Sequence, residues 1–508
     1  MKLKKLITAN EIIDFNGDPE TEVSSVAYDS RAVTPGSLFI AVKGHLDDGR
    51  RYVKEAVKAG AMAIMVDEPL SQDPGVPVIM VSDTRRGMAL AAAEFYGHPA
   101  EKLVMIGITG TKGKTTTAFL LESILKQAGQ ATGLMGTIKI SYAGKERPSV
   151  ITTPEGVDLQ KYLHEMVQHG VTHTVFEVSS HALALSRVAG CEFDVGVFTN
   201  LGRDHLDYHR DMTSYYEAKR RLFYEFLTGV HLDGGPRAVI NVDDEWGRKM
   251  AAEMGPEVIT FAIESEADLT AREIKNDRLA LSAQLVIPAG ELEVHTHLLG
   301  SFNLYNLLAA SGAALALGIE MEHIAAGLES IASVPGRLER IGHNDDFLVL
   351  VDYAHTTEAL IKALESAREL APGRLFTVFG CGGDRDKSKR HHMGRAAGRL
   401  SDLAVVTNDN PRTEDPAAII KQIEPGLLGL DLHRWEPGET NSSYPPGSYA
   451  IIPDRRKALQ LGVRLMRSGD ILLVAGKGHE SYQIMGREKI HFDDREEALM
   501  ALKMEGKT

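Results

Sequence analysis

The sequence predicts an α/β protein divided into three domains. Three observations carry this. At 508 residues the chain is too long for one ordinary core. Short apolar runs alternate with helical stretches, as expected of parallel sheets covered on both faces. Several of those runs end in glycine-rich or charged loops, the place where open parallel sheets bind ligands.

Residues 1–102 carry four strand candidates, 23–28, 38–42, 62–66 and 78–81, and two helix candidates, 51–59 and 84–96. The second helix is stopped by Gly97, His98 and Pro99. A second domain, 103–335, opens on the apolar run 103–108. It continues with buried-strand candidates at 174–178, 195–199 and 238–242, separated by long helical stretches. A third domain, 336–508, contains four apolar runs followed by polar loops. These are 348–351 before Asp352-Tyr353-Ala354-His355, 375–379 before 380–385, 403–406 before 408–412, and 471–474 before 476–480. The four loops are expected on one sheet edge although more than a hundred residues separate the first from the last. Residues 436–448, rich in Pro, Gly and Ser, read as a surface loop.

Composition excludes several function classes. Fifty-six basic against seventy acidic residues leave a formal charge of −14, which argues against broad binding to nucleic acid or an anionic membrane. Anionic ligands must then be met by helix N-termini and individual Lys or Arg residues. Two distant cysteines, Cys191 and Cys381, exclude a disulfide framework and read as buried hydrophobes in a reducing compartment. Glu11 and Asp14 interrupt the N-terminal apolar pattern before it becomes a signal sequence, and no apolar stretch approaches the ~20 residues of a membrane span. A cytoplasmic protein is expected.

The strongest motif is Gly110-Thr111-Lys112-Gly113-Lys114-Thr115-Thr116, between an apolar strand and a helix whose Ala118, Leu121, Leu125 and Ala128 share one face. Such a loop turns backbone N–H groups toward phosphate oxygens, with Lys114 reaching the outer phosphates and the Thr115 hydroxyl available to Mg²⁺. Ile108 stands where the strict pattern has its first glycine, so the loop is a variant. Glu177 ends a later strand in Glu177-Val178-Ser179-Ser180-His181, and Asn200 to His209 packs further acceptors and two histidines after another. Hard oxygen ligands with an occasional imidazole suit Mg²⁺ or Mn²⁺ beside phosphates better than zinc, which would want a nearby cysteine; each stretch alone is equally a solvated loop.

Lys219, within Tyr216-Glu217-Ala218-Lys219-Arg220-Arg221, reads on physical grounds as a solvated lysine of a charged helix. Asn303 and Asn306 open an alanine- and leucine-rich helix, where capping is the simpler reading. In the third domain Asp409-Asn410-Pro411-Arg412, Arg385 and Gly476-Lys477-Gly478-His479-Glu480 offer guanidinium groups for carboxylates and carboxylates for ammonium groups. That set suits an amino acid carrying both charges.

Taken in order, the phosphate loop, the 177–181 and 200–209 segments, the Asn303 segment, Pro335-Gly336-Arg337, Asp352 to His355 and Gly476 to Glu480 resemble the Mur ligases over essentially the whole chain. Within that family the pattern is most similar to the branch that adds diaminopimelate to UDP-N-acetylmuramoyl-L-alanyl-D-glutamate. The resemblance implies a uridine-nucleotide-binding domain (1–102), a central P-loop ATPase domain (103–335) and a Rossmann-like amino-acid-binding domain (336–508). It implies ATP held by Gly110, Thr111, Lys112, Gly113, Lys114, Thr115 and Thr116, with Asn303 and Asp352 at adenine and ribose and Arg337 at the γ-phosphate. Two Mg²⁺ ions would be held, one near Thr115 and Glu177, the other by His205 and a carbamylated Lys219. Ser30 and His45 would meet the uridine end of UDP-MurNAc-L-Ala-D-Glu, and Thr152, Thr153, Ser179 and Arg187 its muramoyl-peptide. Arg385, Asp409, Asn410, Pro411, Arg412, Gly476 and Glu480 would receive meso-diaminopimelate. A monomer acting on these substrates, without nucleic acid or membrane, is the expectation.

The competing readings are a sibling ligase adding L-lysine or D-Ala-D-Ala, a folylpolyglutamate synthase, a nucleotide-driven switch or transporter ATPase, and a catalytically dead binding protein. Arg412 argues against lysine, because a second carboxylate needs a partner. The N-terminal hundred residues with Asp29-Ser30-Arg31 argue against the folate enzyme, the four-loop third domain against the switch, and intact Lys114, Thr115, Glu177, His205 and Lys219 against the dead protein.

Overall fold

The structure, a computed structural model, describes residues 1–508 apart from 9, 45–46, 236, 256, 343–345, 439–442 and 508. His45 therefore lies outside the described residues. The chain falls into two units, residues 1–270 with 307–327, and residues 271–306 with 328–508.

The first unit contains two sheets. The smaller has five strands in the order Ile12–Asn16, Val78–Val81, Ala61–Val66, Ser37–Ile40, Ser25–Ala27, parallel except at the first pairing. Helix Thr84–Tyr96 is capped by Asp83, whose side chain accepts from the backbone of Arg85 and Arg86, and it ends at Gly97 as the sequence indicates. The expected helix 51–59 divides into a 3₁₀ turn, Gly49–Tyr52, and a short α-helix, Val53–Lys58. The expected strand 23–28 shortens to Ser25–Ala27.

The larger sheet has eight strands in the order Val258–Phe261, Arg237–Asn241, Val195–Phe198, Val104–Thr109, His173–Glu177, Thr132–Met135, Lys139–Tyr142, Lys145–Pro148. The first six run parallel. They are the apolar runs of Val, Ile, Leu and Phe that a sheet covered on both faces requires. Strand order reverses about Val104–Thr109, so the loop after that strand opens at a topological switch point. The last two strands are antiparallel, and the edge strand is Lys-Glu-Arg-Pro, mostly exposed. Charge and proline there disfavour further pairing. Sequence reading found neither strand, because neither is an apolar run.

The second unit contains a three-stranded sheet, Thr270–Asn276, Leu281–Ile287, Gly290–Thr296, also missing from the sequence reading. Leu281–Ile287 alternates strictly between buried and half-buried residues, the pattern of a one-sided antiparallel strand. Its main sheet has seven strands in the order Glu339–Ile341, Leu348–Asp352, Ile471–Ala475, Leu375–Phe379, Leu403–Val406, Ser448–Ile451, His433–Trp435. All pairings but the first are parallel. The four strands read from sequence are adjacent and parallel, so their following loops do gather on one edge. Separate hydrophobic clusters cover the two faces. Of the expected loop 436–448, Ser448 belongs to a strand and 439–442 lie outside the described residues.

Candidate active site

In the first unit, strand Val104–Thr109 delivers the phosphate loop and helix Lys114–Gln127 leaves it. Gly110 has φ 147°, and a Cβ there would lie 1.9 Å from Thr199 Oγ1, so no other residue fits. The loop is clamped from strand Val195–Phe198. Thr111 N donates to Asn200 O (2.8 Å), Lys112 N to Asn200 Oδ1 (2.9 Å), and Thr199 Oγ1 to Lys112 O (2.6 Å). Thr111 Oγ1 accepts from Gly202 N (3.0 Å) and lies 3.1 Å from the Tyr215 hydroxyl. Gly113, with φ 89°, begins the helix without a side-chain cap.

Glu177 is 1% exposed and organises the floor. Its carboxylate accepts from Thr115 Oγ1 (2.9 Å), Thr137 N (2.7 Å) and Thr137 Oγ1 (2.9 Å). Thr137 was not singled out from sequence. The available signal was a Gly136-Thr137 pair at the end of the buried strand Thr132–Met135. A lone carboxylate beside hydroxyls is a donor set of hard oxygens, which fits Mg²⁺ completed by phosphate oxygens and water.

Lys219 corrects the sequence expectation. It is 1% exposed, and its Nζ donates to Gly110 O at 2.7 Å, the same carbonyl that receives Lys114 Nζ at 2.9 Å. Helix Met212–Tyr224 buries Tyr215, Tyr216, Ala218, Lys219, Leu222 and Phe223 on one side, exposes Thr213, Ser214 and Glu217, and leaves Arg220 and Arg221 half-buried. A charged-looking helix thus hides one lysine. Burial, reinforced by the nearby Lys114 charge, pushes the Lys219 amine well below its ordinary value. A neutral buried amine is the species that adds carbon dioxide, so the environment fits carbamylation. His205, exposed at one side, sits in left-handed backbone (φ 55°) with its ring 4.9 Å from that of His181, and desolvation by the groups packed around it lowers its pKa. Lys112 forms an ion pair with Asp204 at 3.5 Å.

Thr152 joins this cluster through its hydroxyl, 3.1 Å from that of Thr137. Thr153 is buried, donates to Glu177 O (2.8 Å) and accepts from Ser179 N (3.1 Å), so it braces the strand end. Ser179 caps helix Ser180–Ala184. Arg187 donates to Thr153 O (3.1 Å) and pairs with Glu155 (2.6 Å), while its buried Nε has no hydrogen-bond partner. Ser30 starts the 3₁₀ turn Ser30–Ala32, which Asp29 caps while holding Arg31.

In the second unit, Asp352 ends its strand and accepts from Leu338 N (2.8 Å) and Ala354 N (2.9 Å). The Arg337 guanidinium lies over the Tyr353 ring at 5.1 Å, and the His479 ring faces the same tyrosine at 5.0 Å. Burial and the Arg337 charge lower the His479 pKa to about 4. Asn303 is buried, and its amide donates to Leu299 O (2.8 Å) and accepts from Asn306 Nδ2 (2.8 Å). Asn410 Oδ1 receives Lys477 Nζ (3.1 Å) and Ile484 N (3.0 Å), and its Nδ2 donates to Glu480 (2.9 Å). Burial and the neighbouring Asp409 raise the Glu480 pKa. Asp409 is buried, with an oxygen 2.5 Å from where a Cβ on Gly476 would stand, so Gly476 must lack one. Arg412, after Pro411, has φ 52° and donates to Gly383 O (2.7 Å), whereas Arg385 is exposed. The buried thiols of Cys191 and Cys381 are pushed up to about 12, so neither serves as a nucleophile.

Three family profiles match the chain: the Mur ligase family catalytic domain over 22–96, the Mur ligase middle domain over 108–314, and the Mur ligase glutamate ligase domain over 336–478. The chain is 45% identical over 503 residues to the UDP-N-acetylmuramoyl-L-alanyl-D-glutamate–2,6-diaminopimelate ligase of Geobacter metallireducens, covering 99% of this chain and 98% of that one. The enzyme of the same name from Geobacillus thermodenitrificans is 42% identical, with 99% of each chain covered. A solved structure of a ligase of that name superposes with a TM-score of 0.69 at 30% identity, covering 100% of both chains.

Proposed function

We propose, since this chain belongs to the Mur ligase family, that it joins meso-diaminopimelate to UDP-N-acetylmuramoyl-L-alanyl-D-glutamate at the expense of ATP, as a step in peptidoglycan precursor synthesis. Relatives carrying that activity in their names align over almost the entire chain, and the single structural observation that carries the reading is the convergence of Lys114 and Lys219 on the Gly110 carbonyl beside Glu177. One ammonium, one buried amine kept from charging and a carboxylate are gathered where a helix N-terminus already favours phosphate.

In this reading the D-glutamate carboxylate attacks the γ-phosphorus of ATP. ADP leaves and an acyl phosphate forms. Lys114 and Arg337 offset charge on the phosphoryl oxygens. The amine of diaminopimelate then attacks the acyl carbon, and the tetrahedral adduct collapses to amide and phosphate. Thr115 and Glu177 would hold one Mg²⁺, and His205 with carbamylated Lys219 a second; bound there, the ions would draw electron density from the phosphate oxygens. Asn303 and Asp352 would face the nucleoside. Ser30, Thr152, Thr153, Ser179 and Arg187 would hold the UDP-muramoyl-peptide. Arg385, Arg412, Asp409, Asn410 and Glu480 would receive the amino acid, its carboxylate on the guanidinium groups and its ammonium on the acids. No side-chain nucleophile is required. Orientation of three substrates can contribute roughly 7–11 kcal/mol to such a reaction.

We assign the three roles to residues 1–102, 103–335 and 336–508, and a monomeric protein in the cytoplasm. Among the described residues no helix is long and apolar enough to cross a membrane. The test is phosphate release from ATP with UDP-MurNAc-L-Ala-D-Glu and meso-diaminopimelate, L-lysine or no amino acid. Release is expected to depend on diaminopimelate. In Arg412→Ala, loss of a charged hydrogen bond worth about 1.5–3 kcal/mol should lower kcat/KM for diaminopimelate roughly 10- to 150-fold. Equal release without any amino acid refutes the ligase.

A further inference from the structure

Arg385 and Arg412 sit on loops that follow neighbouring parallel strands, Leu375–Phe379 and Leu403–Val406. The two loops are fastened together by a network that uses neither arginine's neighbours at random. Arg390, in the first turn of helix Lys389–Leu400, is wholly buried. Its two terminal nitrogens meet the two carboxylate oxygens of Glu414 at 2.9 Å each. One of them also donates to Gln422 (2.8 Å), and the other reaches back to Gly382 O (3.1 Å). Glu414 in turn accepts from Asp384 N (2.7 Å).

Asp384 closes the circuit by accepting from Thr413 Oγ1 (2.8 Å) and Thr413 N (3.1 Å). Between these ties the backbones touch. Gly383 N donates to Asn410 O (2.9 Å), and a Cβ on Gly383 would fall 1.9 Å from Pro411 O. Asp384 and Arg412 both adopt left-handed backbone, φ 53° and 52°. Two such residues in facing loops are costly and persist only when their surroundings over-determine them. Gly382 lies between the two arginines, its Cβ direction 2.9 Å from Arg412 Nη1 and 3.8 Å from Arg385 Cγ.

We propose that Arg390 and Glu414 are positioning residues that fix the spacing of Arg385 and Arg412, and so set the preference for an amino acid bearing a second carboxylate over one that lacks it. This rests on the diaminopimelate reading above. A lysine substrate presents no second carboxylate, so it gains little from two guanidinium groups held at a set distance. Loosening the clasp should therefore weaken the dicarboxylic substrate alone. Ordinary loop stabilisation would lower activity toward both amino acids together.

The experiment compares kcat/KM for meso-diaminopimelate and L-lysine, and KM for ATP, in wild type, Glu414→Gln and Thr413→Val, each confirmed folded by its thermal unfolding. Thr413 is exposed, so its loss of one hydroxyl keeps the test valid even where Glu414→Gln, which leaves buried Arg390 poorly neutralised, fails to fold. The diaminopimelate-to-lysine ratio is expected to fall about tenfold in Glu414→Gln and about threefold in Thr413→Val, through KM for diaminopimelate, with KM for ATP within twofold. A ratio unchanged in the folded variants overturns the inference while leaving the ligase reading intact. A wild-type protein with no preference between the two amino acids overturns both.

Discussion

The phosphate loop of the first unit and the loops after the parallel strands of the second solve opposite electrostatic problems. Around Gly110 two amines share one carbonyl oxygen, and the buried one is pushed toward its neutral form. Around Gly382 and Gly476, charges of opposite sign are matched inside the protein: Arg390 with Glu414, Lys477 with Glu480, and Arg455 with Asp494. The first region keeps the charge of one amine, Lys114, and suppresses that of the other, Lys219, beside the same carbonyl. The second has already neutralised its buried charges, so its business is geometry. A site for a polyanion can be built on excess charge, whereas a site for a zwitterion must place a few groups at fixed distances.

If that contrast holds, altering the state of the buried amine on that shared carbonyl should have the largest effect. Lys219→Ala and Lys219→Arg are both expected to lower ATP turnover by roughly 10²–10³-fold, the size of a lost electrostatic donor. Arginine keeps the charge but cannot become neutral. Turnover in Lys219→Arg within a factor of two of wild type would show that charge, and not a neutral amine, is what the site needs.

His479 is the exception that sharpens the contrast in the second unit, since burial and Arg337 keep it uncharged. Its folded pKa of about 4 lies below the ordinary 6.5, so the unfolded chain takes up a proton first as pH falls. Stability is present above about pH 6.5 and is lost progressively toward pH 4. His479→Phe retains a ring against Tyr353 without that titration. Compared with wild type, its unfolding free energy should improve by about 2 kcal/mol on going from pH 7.5 to pH 5. Parallel pH profiles for the two proteins would remove His479 from the list of buried neutral groups.

The smallest effect is expected at Thr137, which shares Glu177 with Thr115. Thr137→Val deletes one hydroxyl donor to the carboxylate and leaves the backbone donor, at a cost of about 1.5 kcal/mol. Titration of the rate with Mg²⁺ should show the half-saturating concentration rising roughly tenfold. An unchanged Mg²⁺ requirement would mean that Thr137 merely braces the strand end.

What the sequence determined by itself is the set of parallel strands and the loops after them. Apolar runs such as 375–379 and 403–406 coincide with the strands because a strand buried on both faces must be apolar throughout. Glycine spacing located the phosphate loop, since Gly110 occupies a backbone conformation and a space that only glycine tolerates. Strands with one wet face or none buried, Lys145–Pro148 and Thr270–Asn276, were invisible because their composition is that of a surface. Tertiary structure alone decided that Lys219 is buried in a helix whose sequence is that of a solvated one, that Thr137 shares Glu177, and that Arg390 and Glu414 join two loops. Each of these is a pairing between residues from 24 to 109 positions apart. Local periodicity reports only which face a residue prefers; which distant group it meets there is fixed by how the strands are ordered in the sheet.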